Sequence, residues 1–585
     1  MTRNNAVYFM SEQWILPCGV NLKVVIIGGV AGGASAAARL RRLDEGAEIV
    51  MLERSGYVSY ANCGLPYYIG GTIADRGKLT LQTPQSFKSR FNIDVRVRNE
   101  AVSIDRATKV VRVRRLDDGS EYDEPYDRLI LSPGAKAIRP DLPGIDDERV
   151  FTLRTVEDTL AIRSFVDAEH PKMALVAGGG YIGLEIAENL IEMGVNVTLV
   201  QRPDQVLPPL DRDMAAEVHA NLRSKGVDLR LKCALRGFSS GDGLIADVGD
   251  GEKVECDMAV VAPGVSPDTH LAADAGLELG IKGSIVVNDM METSDPDIYA
   301  VGDAVQVKNY ITRDDAWIAL AGPANRQGRI AADNICGLGS RYRGSQGSSV
   351  IKVFDQTVAA TGINEKTAKS LGLNYGKTYT YSASHATYYP GARNMSIKTI
   401  YDADNGRILG AQIVGYDGVD KRIDVLATAI RGHMTHEDLE DLDLAYAPPY
   451  SSAKDPVNMV GFVIGNVMSG RVKQFYWDQV PQVLSDPGAV LLDARTDSEF
   501  ASRHIDGALH IPVDSLRERI DEIDKSKRIY VMCHSGLRSY IACRILAQNG
   551  FDCYNLAGGF RFYSLVADDL NIGSPNEYPC GMPNN

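Results

Sequence analysis

Short apolar runs, glycine turns and helical stretches follow one another in a repeated order along the first half of the chain. Leu22–Ile27 is rich in β-branched residues, as a parallel strand covered on both faces requires. Gly28-Gly29-Val30-Ala31-Gly32-Gly33 follows at once, then Ala34–Leu43 at helical composition, then the strand Glu48–Leu52. Glu53 stands at the end of that strand, twenty residues beyond Gly33, with Arg54 beside it. This order of elements sets a pyrophosphate on the helix N-terminus and a carboxylate on a ribose hydroxyl. Val30 occupies the place of the usual middle glycine, and the flanking strand and helix restore the match.

A second copy begins at the strand Met173–Ala177. Gly178-Gly179-Gly180-Tyr181-Ile182-Gly183 is a full match to the glycine pattern, and a helix from Leu184 and the strand Asn196–Val200 follow. Gln201 and Arg202 stand where the acid would be. An arginine there can accept a 2′-phosphate, so this turn is expected to take NADPH without rejecting NADH. Arg128–Ser132 is a strand closing on Pro133-Gly134-Ala135, and Val260-Val261-Ala262-Pro263-Gly264 repeats that ending. Thr293–Ala304 then gives a turn, a strand and an acid, Asp303. The second dinucleotide fold is nested inside the first, which points to hydride entering at a nicotinamide and crossing a flavin.

Between the two motifs lies a lone cysteine, Cys63, flanked by Asn62 and Gly64, with Pro66 suited to the first turn of a helix. A thiol at a helix N-terminus meets unpaired N–H groups, which favour the thiolate. An isolated cysteine is otherwise a small buried hydrophobe. The polar neighbours and the cofactor motif favour a reactive thiol, an outlet for two electrons to sulfur.

Composition narrows the classes. The 585 residues, 44% hydrophobic and 24% charged, make about four ordinary domains of a globular protein. A net charge of −14 argues against nucleic-acid partners, and no apolar run of about 18 residues predicts a membrane span. Nine cysteines without two-residue spacing, and nine histidines without ligand spacing, argue against a metal site and fit a reducing cytoplasm. Cys256, Cys543 and Cys553 fall in strand or helix patterns and are expected in the core.

The tandem glycine motifs, the strand ending Gly302-Asp303 and the downstream α+β segment resemble the pyridine nucleotide–disulfide oxidoreductases over about residues 22–465. The resemblance implies FAD on the first fold, through Gly28, Gly33, Glu53, Arg54, Asp303 and Asn325. It implies NAD(P)H on the second, through Gly178, Gly180, Gly183, Gln201 and Arg202. After Cys63 the next cysteine is Cys233, so no local partner exists and the single-cysteine branches apply. The oxidases and peroxidases among them carry a histidine in the first glycine turn, where this chain has Val30-Ala31, so oxygen chemistry is demoted.

Ser59–Tyr67 resembles the coenzyme A–disulfide reductase signature. That branch implies tyrosines reaching the cysteine from the other subunit of a homodimer, here Tyr388 (or Tyr389) and Tyr446. Ser35, Arg39, Arg42, Ser59, Asn62 and Lys454 match its coenzyme A site, arginines suiting phosphate through their planar fork. For Arg39 and Arg42 a solvated helix face is the plain alternative.

Past Met468-Ser469-Gly470 the pattern resets. Val490–Leu492 and Arg528–Met532 are strands, the second running into Cys533-His534-Ser535-Gly536-Leu537-Arg538 and a helix from Tyr540. The Cys-x4-Arg loop resembles a rhodanese domain. Backbone N–H groups around such a loop favour a thiolate or persulfide, so Cys533 is expected to carry sulfane sulfur, with Arg538 closing the loop.

The expected architecture is α/β. Two nested Rossmann-like domains (FAD, 22–145 and 280–345; NAD(P), 146–279) precede an α+β dimerisation domain at 346–465. A linker at 466–477, an α/β rhodanese domain at 478–568 and a tail at 569–585 follow, and 1–21 is an extension. The expected function is NAD(P)H-dependent reduction of coenzyme A disulfide, coenzyme A persulfide or polysulfide in sulfur and redox metabolism. The alternatives are an NADH oxidase and a sulfur-relay or redox-sensing protein.

Overall fold

The computed structural model describes residues 22–241, 243–249 and 251–572. The expectations for residues 1–21 and for the tail beyond 572 lie outside the described residues. Each glycine motif opens its own parallel sheet. The first runs Ile298–Ala300, Arg128–Leu131, Lys23–Ile27, Glu48–Glu53, Asp94–Val97. The second runs Asp228–Leu231, Asn196–Gln201, Met173–Ala177, Met258–Val261, Val150–Phe151. In both, the strand feeding the glycine turn is central, where the strand order reverses and a crevice opens at the carboxyl ends.

The helices after the turns start at Ala31 and Tyr181, three residues earlier than their composition predicts. Helix propensity penalises glycine, but here the close approach of backbones requires it. A Cβ on Gly33 would lie 1.9 Å from Gly28 O, and one on Gly183 would lie 1.8 Å from Gly178 O. The first helix, Ala31–Leu43, crosses Ala321–Ile335 just as tightly, a Cβ on Gly328 meeting Gly32 O at 2.2 Å.

Residues 349–415 form a five-stranded antiparallel sheet, backed by the helices Val419–Arg431 and Pro456–Met468. Ile397, Ile413, Leu426 and Val460 fill the space between. A last parallel sheet runs Lys473–Phe475, Cys553–Leu556, Arg528–Met532, Ala489–Asp493, Leu509–His510. Its boundaries differ from the expected ones. The stretch 466–477, expected as linker, holds an edge strand too short to show a period, anchored by the buried Phe475. The helix Gly559–Asn571 runs into the stretch expected as tail and buries Asp569. Cys256, Cys543 and Cys553 are buried, as their patterns predict.

This last unit is docked firmly on the others. Tyr476 donates to Lys377 O at 3.0 Å, Trp477 Nε1 to Asp213 at 3.3 Å, and Arg561 to Glu217 at 2.8 Å. Beneath Trp477 lies a buried ionic cluster. Lys398, with no exposed surface, sits 3.0 Å from Asp211, 2.9 Å from Asp213 and 2.7 Å from Glu365. Tyr379 adds a hydrogen bond to Asp213. Residues from three sequence regions thus meet on one ammonium group.

Candidate active site

Cys63 occupies a 3-10 turn, Asn62–Gly64, ahead of the short helix Leu65–Ile69, with Pro66 in its first turn. The chain reaches it through Ser59, held at φ 50 in the left-handed region, whose N–H donates to Gly29 O at 2.8 Å. That bond ties the cysteine loop directly to the first glycine turn. Holding a residue other than glycine there carries a small backbone strain.

Cys63 is exposed. Its thiol nevertheless stands above the ordinary range: desolvation against the walls of the site raises it, Glu185 adds to the rise, and Arg154 opposes it. This corrects the expected bias toward thiolate. The helix behind Cys63 is only five residues long, too short for a strong dipole, while carboxylates from other segments face the sulfur.

Arg154 organises the floor of the site. It pairs with Asp303 at 2.7 Å and donates through Nε to Ala135 O at 3.0 Å. The Asn62 amide, oriented to satisfy its neighbours, donates to Arg154 O at 3.0 Å and accepts from its Nη1 at 3.1 Å. Asp303, Asn62 and the Cys63 turn thus share one guanidinium. Glu185, two residues past Gly183, accepts from Tyr67 at 3.4 Å, and burial raises its carboxyl to about 7. Sequence reading passed over both. Arg154 carries no motif, and only the spacing of Tyr181, Glu185 and Glu188 along one helix face marks Glu185. Replacing Glu185 with glutamine removes a like charge beside the sulfur. Cys63 is then expected to alkylate faster near neutral pH, and an unchanged or slower rate with iodoacetamide contradicts this.

The two nucleotide turns match each other in detail. Glu53 accepts from Gly29 N at 2.8 Å and from Ser55 N at 2.9 Å; Gln201 accepts from Gly179 N at 2.9 Å. Neither following helix has a side-chain N-cap, so their first N–H groups are left for a ligand. A Cβ on Gly180 would meet nothing within 4 Å, leaving open room at the second turn. Both turns therefore fit a bound dinucleotide. Arg202, directly after Gln201, is exposed. Arg54 instead reaches Asp268, at 2.8 Å.

The expected coenzyme A edge is partly engaged. Ser35 donates to Asn325 at 2.6 Å and Arg39 pairs with Asp333 at 2.6 Å, while Arg42 and Lys454 are exposed. Tyr388 and Tyr446, 58 residues apart, hydrogen-bond through their hydroxyls at 2.8 Å and are 74% and 46% exposed. Their mutual bond raises Tyr388 above the usual phenol range, which keeps it a proton donor. Arg422, fully buried, holds both loops: it donates to Ser384 O at 3.0 Å, Tyr450 O at 3.3 Å and Asp455 at 3.0 Å.

Cys533 is fully buried at the end of Arg528–Met532. Gly536 N donates to its sulfur at 3.1 Å and Ser539 Oγ at 3.2 Å. One backbone N–H, the Ser539 hydroxyl and the Arg538 guanidinium thus face it, in place of the expected backbone N–H groups alone. Arg538 is held by both oxygens of Glu499, at 2.6 Å each, a partner the motif does not reveal.

The chain belongs to the pyridine nucleotide-disulphide oxidoreductases. The model of that family matches residues 22–328, its dimerisation domain 348–456, and a rhodanese-like domain 477–564. The family's cofactors are FAD and NAD(P)H. The chain is similar to the coenzyme A disulfide reductase of Staphylococcus haemolyticus, 37% identical over 75% of this chain and 98% of that protein. The structure of reduced Bacillus anthracis CoADR-RHD superposes with a TM-score of 0.91 at 48% identity, covering 93% of this chain and 98% of the other. An NAD-dependent persulfide reductase from A. fulgidus gives 0.87 at 39% identity, over 92% and 100%.

Proposed function

We propose that the protein is an NAD(P)H-dependent flavoenzyme reducing the S–S bond of coenzyme A disulfide, coenzyme A persulfide or polysulfide at Cys63. The observation that carries this reading is the lone accessible thiol beside Asp303 and the first glycine turn, with no second cysteine near it in sequence. The relatives support the same substrate class.

In this reading Gly28, Gly33, Glu53 and Asp303 hold FAD, while Gly178, Gly180, Gly183, Gln201 and Arg202 hold the nicotinamide nucleotide. Bound there, FAD would pass the two electrons of NAD(P)H to sulfur. The chain's own residues do the rest. Cys63 thiolate attacks one sulfur of the substrate, forming a mixed disulfide and releasing the other sulfur as thiolate. Two electrons then cleave that mixed disulfide, returning Cys63 thiolate and a second thiolate. For coenzyme A disulfide the balance is NAD(P)H + H⁺ + CoAS–SCoA → NAD(P)⁺ + 2 CoASH.

Two subunits are expected to pair through the dimerisation domain, so that the Tyr388–Tyr446 pair of one serves Cys63 of the other, protonating the departing thiolate. Tyr446→Phe is then expected to lower kcat by about 10²-fold. A change under about twofold assigns the pair to packing. The edge bearing Ser35, Arg39, Arg42, Ser59, Asn62 and Lys454 receives coenzyme A, and Cys533 carries sulfane sulfur. The setting is the cytoplasm.

Anaerobic oxidation of NADH and NADPH against coenzyme A disulfide, coenzyme A persulfide and polysulfide in parallel tests the reading. Thiol or sulfide formed in step with nucleotide consumed supports it. Turnover only with oxygen, consumed in step with NADH, makes the protein an oxidase.

A further inference from the structure

The helix that ends the rhodanese-like unit reaches a loop of the nucleotide-binding unit through a single buried histidine. Asp569, in Gly559–Asn571, accepts from His219 Nδ1 at 2.8 Å. Its carboxylate also meets Arg212 at 2.6 Å and Arg223 at 2.7 Å. His219 has no exposed surface, and its other ring nitrogen, Nε2, accepts from Val206 N at 3.1 Å. An imidazole that accepts at Nε2 and donates from Nδ1 is a neutral ring in one fixed tautomer.

Val206 belongs to the strap that follows Gln201 and packs under the second glycine turn. Leu207 N donates to Gly179 O at 2.8 Å. Gln201 bonds Gly179 N at 2.9 Å and donates to Gln205 O at 3.0 Å. Gln205 in turn donates to Leu210 O at 2.9 Å, closing the strap on itself. Arg202, the expected 2′-phosphate contact, is the first residue of this strap.

We propose that Asp569 is a positioning residue for the nicotinamide-nucleotide site, acting through His219 on the strap at Val206. The inference rests on the reading that Gly178–Gly183 receives NAD(P)H. With Asp569 present, His219 presents a lone pair to the Val206 N–H. Without it, the Nδ1 proton faces two guanidinium groups, and the ring favours the other tautomer, which sets a donor against a donor at Val206. The strap then loses its anchor, and Gly179 and Arg202 lose their fixed places. The rhodanese-like unit is, by this route, a structural part of the nucleotide site and not only a sulfur carrier.

The test uses the full-length, FAD-loaded protein with Asp569→Ala and Asp569→Asn. Calorimetric titration with NAD⁺ and with NADP⁺ reads the site without turnover. Losing one buried hydrogen bond on the strap is expected to weaken at least one nucleotide about fivefold to tenfold in Asp569→Ala. The KM for that nucleotide is expected to rise alike, while kcat and the KM for coenzyme A disulfide stay within about twofold. Asp569→Asn keeps an acceptor for Nδ1–H and is expected to bind within about twofold of the parent. Should Asp569→Ala fail to fold, His219→Leu removes the acceptor for Val206 N–H at similar volume and is expected to show the same weakening. Unchanged binding in a folded Asp569→Ala or His219→Leu overturns the inference alone. A parent protein that binds neither nucleotide overturns the reading of the second glycine turn along with it.

Discussion

Cys63→Ser is expected to lose at least about 10³-fold in the rate of coenzyme A disulfide reduction, with FAD still bound and still bleached by NAD(P)H. Removing a nucleophile that acts once in each turnover removes the pathway, whereas the groups that hold the dinucleotides lie on other residues. Serine cannot replace it, since its hydroxyl neither ionises near neutral pH nor forms a reducible bond to sulfur. The comparison with Cys533→Ser separates the two sulfur sites. That variant is expected to keep reduction of coenzyme A disulfide within about twofold while losing sulfur transfer from the rhodanese-like loop. If the parent shows no reductive turnover for Cys63→Ser to abolish, and sulfur transfer survives the substitution, the protein is a sulfur relay with a redox-sensing flavin half.

The largest expected effect on stability is at Lys398. Replacing it with methionine leaves Asp211, Asp213 and Glu365 buried without their shared cation, and breaking such a cluster costs about 3–5 kcal/mol. The loss is expected in the first unfolding transition followed by denaturant, because the cluster joins the nucleotide-binding, dimerisation and rhodanese-like units. Its pH dependence has a definite sign. Burial raises Glu365 and Asp213, but Lys398, acting with Lys369 and Lys377 at Glu365 and with Tyr379 and Lys377 at Asp213, outweighs it, and both carboxyls end below their ordinary values. The stability they contribute is complete above those ordinary values, about 4. It is lost as pH falls below them toward the lowered native values. The gap between parent and variant is therefore widest near neutral pH and narrows in acid. A gap that is flat with pH, or under about 1 kcal/mol, contradicts this account of the cluster.

Much of the site was legible before any fold was known, for physical reasons that differ from residue to residue. Gly28, Gly33, Gly178 and Gly183 announce themselves because only glycine tolerates backbone atoms about 2 Å from where a Cβ would be. Cys63 and Cys533 stand out because a thiol among polar and glycine residues is poorly placed for packing. What escaped depends on contacts between distant segments. Arg154 meets Asp303 across 149 residues, and Arg422 meets both tyrosine loops from a helix between them. Neither has a local signature. Asp568 and Asp569 are neighbours of equal chemistry, yet only Asp569 turns inward, and nothing short of the docked helix tells them apart. The reversal at the Cys63 thiol has the same origin. Local sequence supplied the favourable helix end, while Glu185 and Asp303 came from elsewhere in the fold.

Trapping the sulfur directly tests the account at its centre. The anaerobic protein, reduced by two electrons only so that Cys63 is a thiol and the flavin is oxidised, is freed of nucleotide, mixed with coenzyme A disulfide, quenched in acid and digested for peptide mass spectrometry. A coenzyme A mixed disulfide on the Cys63 peptide, in step with one coenzyme A thiol released per subunit, is the predicted result. An adduct confined to Cys533 or other cysteines, with the Cys63 peptide unmodified, would contradict it.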